Sequence, residues 1–168
     1  MVFTGTYQRT LDEKGRIALP KVLRDELAHE TSLFATPGTE RCLELHHAKS
    51  LNELAVRTAQ SKTGSQNLKA FSRLFYAQAE QCEIDRSGRI RLSPALIAHA
   101  DLVKEIVIIG VGSNWEVWDQ NKWQSYLLEN QPEFDRLTQN TFDMIPSDGD
   151  KGERSLPSTA TIKNKESE

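Results

Sequence analysis

The sequence has no apolar run long enough to cross a membrane. Its longest, Ile106–Ile109, has four residues, whereas a membrane-spanning helix needs about 20. The first residues, Met1–Gly5, also lack the basic start and the apolar stretch that are typical of a signal peptide. We therefore expect a protein without a membrane anchor that stays in the cytoplasm.

Cysteine is almost absent as well. The 168 residues include two cysteines, Cys42 and Cys82, which are too few for a disulfide framework, and neither belongs to a Cys-x-x-Cys pair. Cys42 with His46 and His47 could supply zinc ligands, but no second cluster with ligand spacing completes the set. We interpret Cys42 as a buried thiol and expect no metal and no other cofactor.

Patterns typical of an enzyme are also missing. None of the four histidines lies in a recognisable catalytic context: His29, His46, His47 and His99. Gly110 and Gly112 lack the third glycine and the following helix of a dinucleotide-binding motif. The sequence therefore predicts a protein that is not an enzyme.

The net charge of −3 is low for a nucleic-acid binder, because many such proteins are strongly basic. The charges are unevenly distributed, however. Residues 1–24 carry five cations against two anions, whereas residues 129–146 carry four anions against one cation. The acidic part of the chain is thus separated from a basic N-terminal part, as a DNA-binding protein requires.

The sequence does contain an internal repeat, which decides the expected architecture. Leu11–Leu19 recurs as Ile84–Leu92, with Asp, Gly, Arg, Ile and Leu at a constant offset of 73 residues. A proline and an apolar segment follow both copies, and Ser93 can cap a helix that begins at Pro94. Each half then predicts a strand, a turn, a strand, a short helix, a hairpin and a longer helix.

Apolar spacing predicts three longer helices. One covers Ala48–Gln60, the second lies within Gln66–Ala79, and the third is capped by Asp119 and carries Trp123 and Tyr126 on one side. Residues 147–168 contain few apolar side chains. We expect this segment to be a disordered polar tail.

Each copy of the motif predicts a tight turn. Asp12 and Asp85 can accept backbone N–H groups across the turn, and Gly15 and Gly88 tolerate a positive φ. One interpretation of the Asp and Arg spacing is a surface ion pair that stabilises the turn. Such pairs are worth only about 0–1 kcal/mol, so stability alone is a weak reason to repeat the pattern.

The other interpretation is binding to DNA. Arg16 and Ile17 are neighbours on a strand and point to opposite faces, so a buried Ile17 presents Arg16 to solvent, and the same holds for Arg89 and Ile90. The planar arginine side chain can bond guanine O6 and N7 together or clamp a phosphate. The residues alone leave DNA binding, anion binding and a purely structural turn open.

The repeated motif resembles that of the MraZ family of bacterial regulators, which carry two SpoVT-AbrB domains in tandem. The resemblance continues through Phe71–Phe75, Ala79–Asp85 and Val117–Asp119 ahead of Trp123, and it covers roughly residues 1–130. It implies a β-rich α+β fold in which two half-domains form an interleaved, swapped-hairpin-like, pseudo-symmetric β-barrel with peripheral helices. The expected parts are half-domains at residues 6–49 and 81–124, connecting helices at 50–80, a C-terminal helical segment at 125–146 and the tail at 147–168.

The same resemblance implies a sequence-specific DNA-binding transcriptional regulator of the bacterial division and cell-wall gene cluster. It would bind short promoter repeats in double-stranded DNA as a homo-oligomeric ring, in the cytoplasm at the nucleoid and without a cofactor. The residues implied to bind DNA are Lys14, Arg16, Arg86 and Arg89, with Lys21, Arg24 and Arg91 as auxiliary phosphate contacts and with Asp12, Gly15, Asp85 and Gly88 ordering the turns.

One residue departs from the family motif. Ser87 stands where the motif has lysine, so we expect the first copy to be the stronger reader of DNA. The alternative function is an AbrB-like antitoxin or another protein-binding module. The tandem motifs argue against it, because antitoxins of this type usually carry one motif and a tail.

Overall fold

The computed structural model describes residues 2–27, 30–60 and 66–145. The chain divides into two compact units, Met1–Leu128 and Glu129–Glu168. The strands are β1 Thr6–Thr10, β2 Arg16–Ala18, β3 Ser32–Pro37, β4 Leu43–His46, β5 Glu80–Glu83, β6 Arg89–Arg91, β7 Glu105–Gly110 and β8 Trp115–Asp119. The α-helices are α1 Lys21–Glu26, α2 Ala48–Gln60, α3 Gln66–Tyr76, α4 Pro94–His99, α5 Gln120–Asn130 and, in the second unit, α6 Phe134–Met144.

The strands form two antiparallel sheets. One has six strands in the order β1-β7-β8-β4-β3-β5, and the other has two, β2 and β6. The offset of the sequence repeat holds in three dimensions, since shifting β2, β3 and α1 by 73 residues gives the bounds of β6, β7 and α4. Exchanging each strand for its equivalent in the other half therefore gives the same strand order, read from the opposite edge of the large sheet. Strand β1 of the first half pairs with β7 of the second, and β5 of the second pairs with β3 of the first.

Both halves contribute equivalent side chains to one core. Ile17 and Ile90 are at most 1% exposed, and Leu23 of α1 and Leu96 of α4 are buried beside them. Burying each side chain of this size contributes roughly 1.5–3 kcal/mol. The apolar positions of the repeat are thus buried, and its polar positions remain for the surface.

The predicted β-rich α+β fold is confirmed, but the predicted β-barrel is wrong, because neither sheet closes among the described strands. The turns at Asp12–Gly15 and Asp85–Gly88 lead the chain out of the large sheet into β2 and β6. These two short strands pair with each other rather than joining the two edges of the large sheet. Strands β1 and β5 consequently remain edge strands.

The helices agree closely with the predictions. Helix α2 has the predicted bounds, and α3 lies within the predicted range Gln66–Ala79. It ends at Tyr76 because the backbone N–H groups of Gln78 and Ala79 bond to carbonyls three residues back. Asp119 caps α5 by accepting the backbone N–H of Asn121 at 3.0 Å.

The predicted cap of α4 is also present, since Ser93 Oγ accepts the backbone N–H of Leu96 at 3.3 Å. Trp123 and Tyr126 of α5 pack on Trp118, with ring centroids 5.6 and 5.2 Å apart. The predicted polar tail, residues 147–168, lies outside the described residues. None of the described helices combines the length and the apolar character needed to span a bilayer.

Candidate nucleic-acid interface

Asp12 organises the first turn with both of its carboxylate oxygens. Oδ1 accepts the backbone N–H groups of Lys14 and Arg16, each at 2.9 Å, and Oδ2 accepts Nε–H of Arg16 at 2.7 Å. The backbone closes the turn through the N–H of Gly15, which donates to the Asp12 carbonyl at 2.9 Å. Gly15 has a φ of +73°, which favours glycine. The backbone N–H of Arg16, followed by its side chain, lowers the pKa of Asp12.

The second turn reproduces these contacts one by one. Asp85 Oδ1 accepts the backbone N–H groups of Ser87 at 2.8 Å and Arg89 at 3.0 Å, and Oδ2 accepts Nε–H of Arg89 at 2.9 Å. Gly88 has a φ of +72°. The backbone N–H of Arg89, followed by its side chain, lowers the pKa of Asp85. The two turns are therefore the same structure built twice.

Strands β2 and β6 bring the two turns together. Ile17 lies opposite Ile90 at the centre of this small sheet. At its ends, the N–H of Leu19 donates to the Gly88 carbonyl at 3.0 Å and the N–H of Leu92 donates to the Gly15 carbonyl at 2.8 Å. These two bonds are equivalent under the repeat, so each turn is hydrogen-bonded to the strand that leaves the other.

The outer side of this small sheet is here called the arginine face. It consists of Arg16, Ala18, Arg89 and Arg91, because these positions alternate with the buried Ile17 and Ile90. In the register of the sheet Arg16 lies opposite Arg91, and Ala18 lies opposite Arg89.

The three arginines differ in how they are held. The side chains of Arg16 and Arg89 are 32% and 36% exposed, and each donates Nε–H to its own aspartate. Their Nη groups make no hydrogen bond within the described residues and can therefore donate to another partner. Arg91 is exposed, and no side chain in the described residues accepts a hydrogen bond from it.

The other predicted cations lie in the two turns, Lys14 and Arg86, and on α1, Lys21 and Arg24. Lys14, Lys21, Arg24 and Arg86 are all exposed. Arg24 lies directly over the second turn, since a Cβ atom on Gly88 would be 2.3 Å from Arg24 Cδ. Beside Lys14 of the first turn is instead an open groove of about 550 Å³, which is lined by Arg91, Ile97 and Val103 among others.

Sequence reasoning missed one cation near this face. Arg9 of β1 donates Nε–H to the Ala18 carbonyl at 3.2 Å and Nη1–H to the Gln8 carbonyl at 2.7 Å. It therefore ties the edge of β2 to β1. The available signal was a cation in the strand that enters the first turn, but a strand pattern alone does not show that this side chain reaches across to β2.

The zinc ligands considered from the sequence do not form a cluster. The Cys42 thiol donates to the Thr39 carbonyl at 3.1 Å, and burial raises its pKa to about 12. His46 contacts Glu44, and His47 contacts Glu30. No group of three or more His, Cys, Asp and Glu side chains in the described part of the chain could hold a metal ion.

Comparisons with known proteins agree on one family. A family model described as "MraZ protein, putative antitoxin-like" matches residues 2–71 and 75–145. Three relatives named transcriptional regulator MraZ are similar along nearly their whole length. The protein from Ligilactobacillus salivarius is 33% identical over 84% of this chain and 98% of its own. The relative from Lactobacillus helveticus is 34% identical over 85% and 99%, and that from an Arthrobacter species is 36% identical over 86% and 98%.

Proposed function

The chain belongs to the MraZ family, and from this membership and the paired turns we propose that it is a sequence-specific DNA-binding transcriptional regulator. Its target is the promoter of the bacterial division and cell-wall gene cluster, and it acts in the cytoplasm at the nucleoid. The observation that carries the proposal is the pairing of β2 with β6, which gathers Arg16, Arg89 and Arg91 on one exposed face. Residues 6–49 and 81–124 are the two half-domains in this proposal.

Folding alone gives little reason for such a face. Arg16 lies directly opposite Arg91, and like charges in opposite positions of an antiparallel pair are destabilising. The two ion pairs with aspartate are about one-third exposed, and exposed pairs contribute little. A nucleic-acid partner explains this arrangement better, because phosphates neutralise the excess positive charge.

The two aspartates of the turns orient the arginines. By accepting Nε–H, Asp12 and Asp85 hold Arg16 and Arg89 in place before DNA arrives, which reduces the entropy lost on binding. The two Nη groups can then bond guanine O6 and N7 together, or a phosphate. A two-stranded ribbon is narrow enough to enter the major groove. Lys14 and Arg86 flank this ribbon, and Lys21, Arg24 and Arg91 add contacts to the phosphates.

The proposal includes assembly into a ring that engages successive promoter repeats. Helices α2 and α3 expose Val56 (54%), Phe71 (44%) and Leu74 (66%), and apolar surface of this kind marks contacts between proteins. Linking several arginine faces raises the affinity for repeated sites through effective concentration. Mass photometry with and without promoter DNA measures the ring size, and L74E should reduce both the assembly and the affinity.

The central test is R16A, measured by gel shift on the duplex upstream of the protein's own gene. We expect a strong loss of affinity with an unchanged fold and assembly, and a similar loss for R89A. K49A is the matched control, because Lys49 is a well-exposed cation on α2 (87%), a helix that contributes nothing to the arginine face. Unchanged affinity of R16A, or an equal loss for K49A, would contradict the proposal.

The second candidate function is an antitoxin-like, protein-binding module. The description of the family model and the exposed apolar residues of α6, Phe142 (69%) and Met144 (81%), favour it. Expression beside the neighbouring genes tests it, because a toxin-sized protein that copurifies without a tag supports this function. No DNA shift together with such a partner would replace the first proposal by the second.

A further inference from the structure

Each turn is backed by a helix from the other half of the chain. Arg24 of α1 lies over the second turn, where its Nη1 and Nε atoms would be 2.8 and 3.1 Å from a Cβ on Gly88. Ile97 of α4 lies over the first turn, where its Cδ1 atom would be 3.2 Å from a Cβ on Gly15. Positions 24 and 97 are related by the offset of the repeat. The same place is therefore filled by a cation in one turn and by an apolar side chain in the other.

At a second pair of equivalent positions, the cation is in the first turn and the uncharged side chain is in the second. Lys14 lies at the tip of the first turn, and its equivalent in the second turn is Ser87. The first turn thus combines a lysine at its tip with Ile97 behind it, and the second combines a serine at its tip with Arg24 behind it. Each turn has one cation at these two positions, but the two cations come from different elements of the chain, and the second turn also carries Arg86 where the first has Glu13.

We propose that Arg24 binds DNA as part of the second turn, although it belongs to the first half of the chain. It supplies there the cation that Lys14 supplies in the first turn, where the second turn has Ser87. The inference rests on the proposed function. Arg24 is exposed, and no acceptor in the described part of the chain pairs with its guanidinium. Its guanidinium is a bidentate donor for phosphate oxygens. At these two pairs of positions each turn then offers the DNA backbone one cation but different chemistry, a flexible ammonium group in the first turn and a planar guanidinium in the second.

The variant R24I tests this inference, because it copies the apolar side chain that already backs the first turn. We expect affinity for the promoter duplex to fall roughly three- to tenfold, and the slope of log K against log salt to fall by about one unit. R24K keeps the charge and should retain most of the affinity. The double variant R24I/S87K moves the cation to the position that Lys14 has in the first turn, and it should recover the salt slope.

Unfolding midpoints and assembly mass separate a loss of contact from a loss of fold. If R24I does not fold, R24Q keeps the length and polarity of the side chain without its charge, and the same loss is expected of it. An unchanged salt slope for the folded variant, or no recovery in R24I/S87K, would overturn the inference. If R16A and R89A also bind normally, it is the proposed function that fails. A loss confined to R16A and R89A leaves that function standing and removes only the role of Arg24.

Discussion

The two turns of this protein share one backbone conformation, but different side chains surround them. In both, an aspartate accepts two backbone N–H groups and one arginine Nε–H, and a glycine has a φ close to +70°. The side chains around them differ, since Arg24 covers the second turn and an open groove lies beside the first. On the arginine face, Arg91 in one half has Ala18 as its equivalent in the other.

The features that the two turns share are the ones that the fold requires, and the side chains in which they differ are free to vary. The positions that build the turn cannot change independently, because each supplies a hydrogen bond, a positive φ or a buried side chain. The positions that only carry charge have diverged between the halves, since Lys14, Ala18 and Arg24 correspond to Ser87, Arg91 and Ile97. A pseudo-symmetric scaffold can therefore present an asymmetric surface.

The largest expected difference concerns the two glycines. Both G15A and G88A place a side chain in the left-handed region, which costs about 1–2 kcal/mol. In G15A the new Cβ would also be 2.8 Å from the Leu92 carbonyl oxygen, which belongs to the backbone. In G88A it meets the flexible side chain of Arg24, which can move aside.

We therefore expect G15A to lose about 1 kcal/mol more than G88A, because the Leu92–Gly15 backbone hydrogen bond must shift. Urea unfolding of the two variants beside the parent measures this difference. Equal losses would show that the surroundings of the two turns are energetically alike.

Acid should affect both turns equally. The pKa values of Asp12 and Asp85 are lowered below the ordinary 3.8 by their hydrogen bonds. A lowered pKa in the folded state means that the stabilisation is present above the unfolded value and is lost as pH falls through the folded one. Stability should therefore decline below about pH 4, and D12N and D85N should each reduce that decline to the same extent.

Urea unfolding across a pH series is the measurement, with E53Q as a control at an exposed carboxylate of α2 (63%). A much larger change for one aspartate than for the other would show that the two turns, although alike in contacts, are not alike in energy.

Much of the local structure could be predicted from the sequence. Interactions between near neighbours leave a record in the sequence spacing. They determine the repeated turns, the capping by Ser93 and Asp119 and the bounds of α2. The arrangement of the strands in an open sheet could not be predicted in this way. It depends on whether β2 and β6 join the edges of the large sheet or pair with each other, and their short sequences are compatible with both.

The contacts within each turn follow from Asp and Gly at fixed spacing, but the relations between the turns do not. The position of Arg24 over Gly88 joins residues 64 apart in sequence, and nothing in the spacing of the motif indicates it. Arg16 lies opposite Arg91 because of the register in which β2 and β6 pair, and the spacing of the motif does not determine that register. These contacts change the expectation that the first copy is the stronger reader, because Ser87 is only one of several differences between the turns.

The smallest expected effect concerns the end of the arginine face where Arg16 and Arg91 are opposed. R91A removes this like-charge pair and should raise the free energy of unfolding by about 0.2–1 kcal/mol, while the loss of a phosphate contact lowers the salt slope of DNA binding by about one unit. A18R creates the corresponding pair with Arg89 and should do the reverse on both counts. Chemical unfolding at low and high salt checks the first effect, since added salt screens the repulsion and should reduce the difference. If R91A instead destabilises the protein, Arg91 supports the small sheet, and the opposed arginines are no longer a sign that this face is built for DNA.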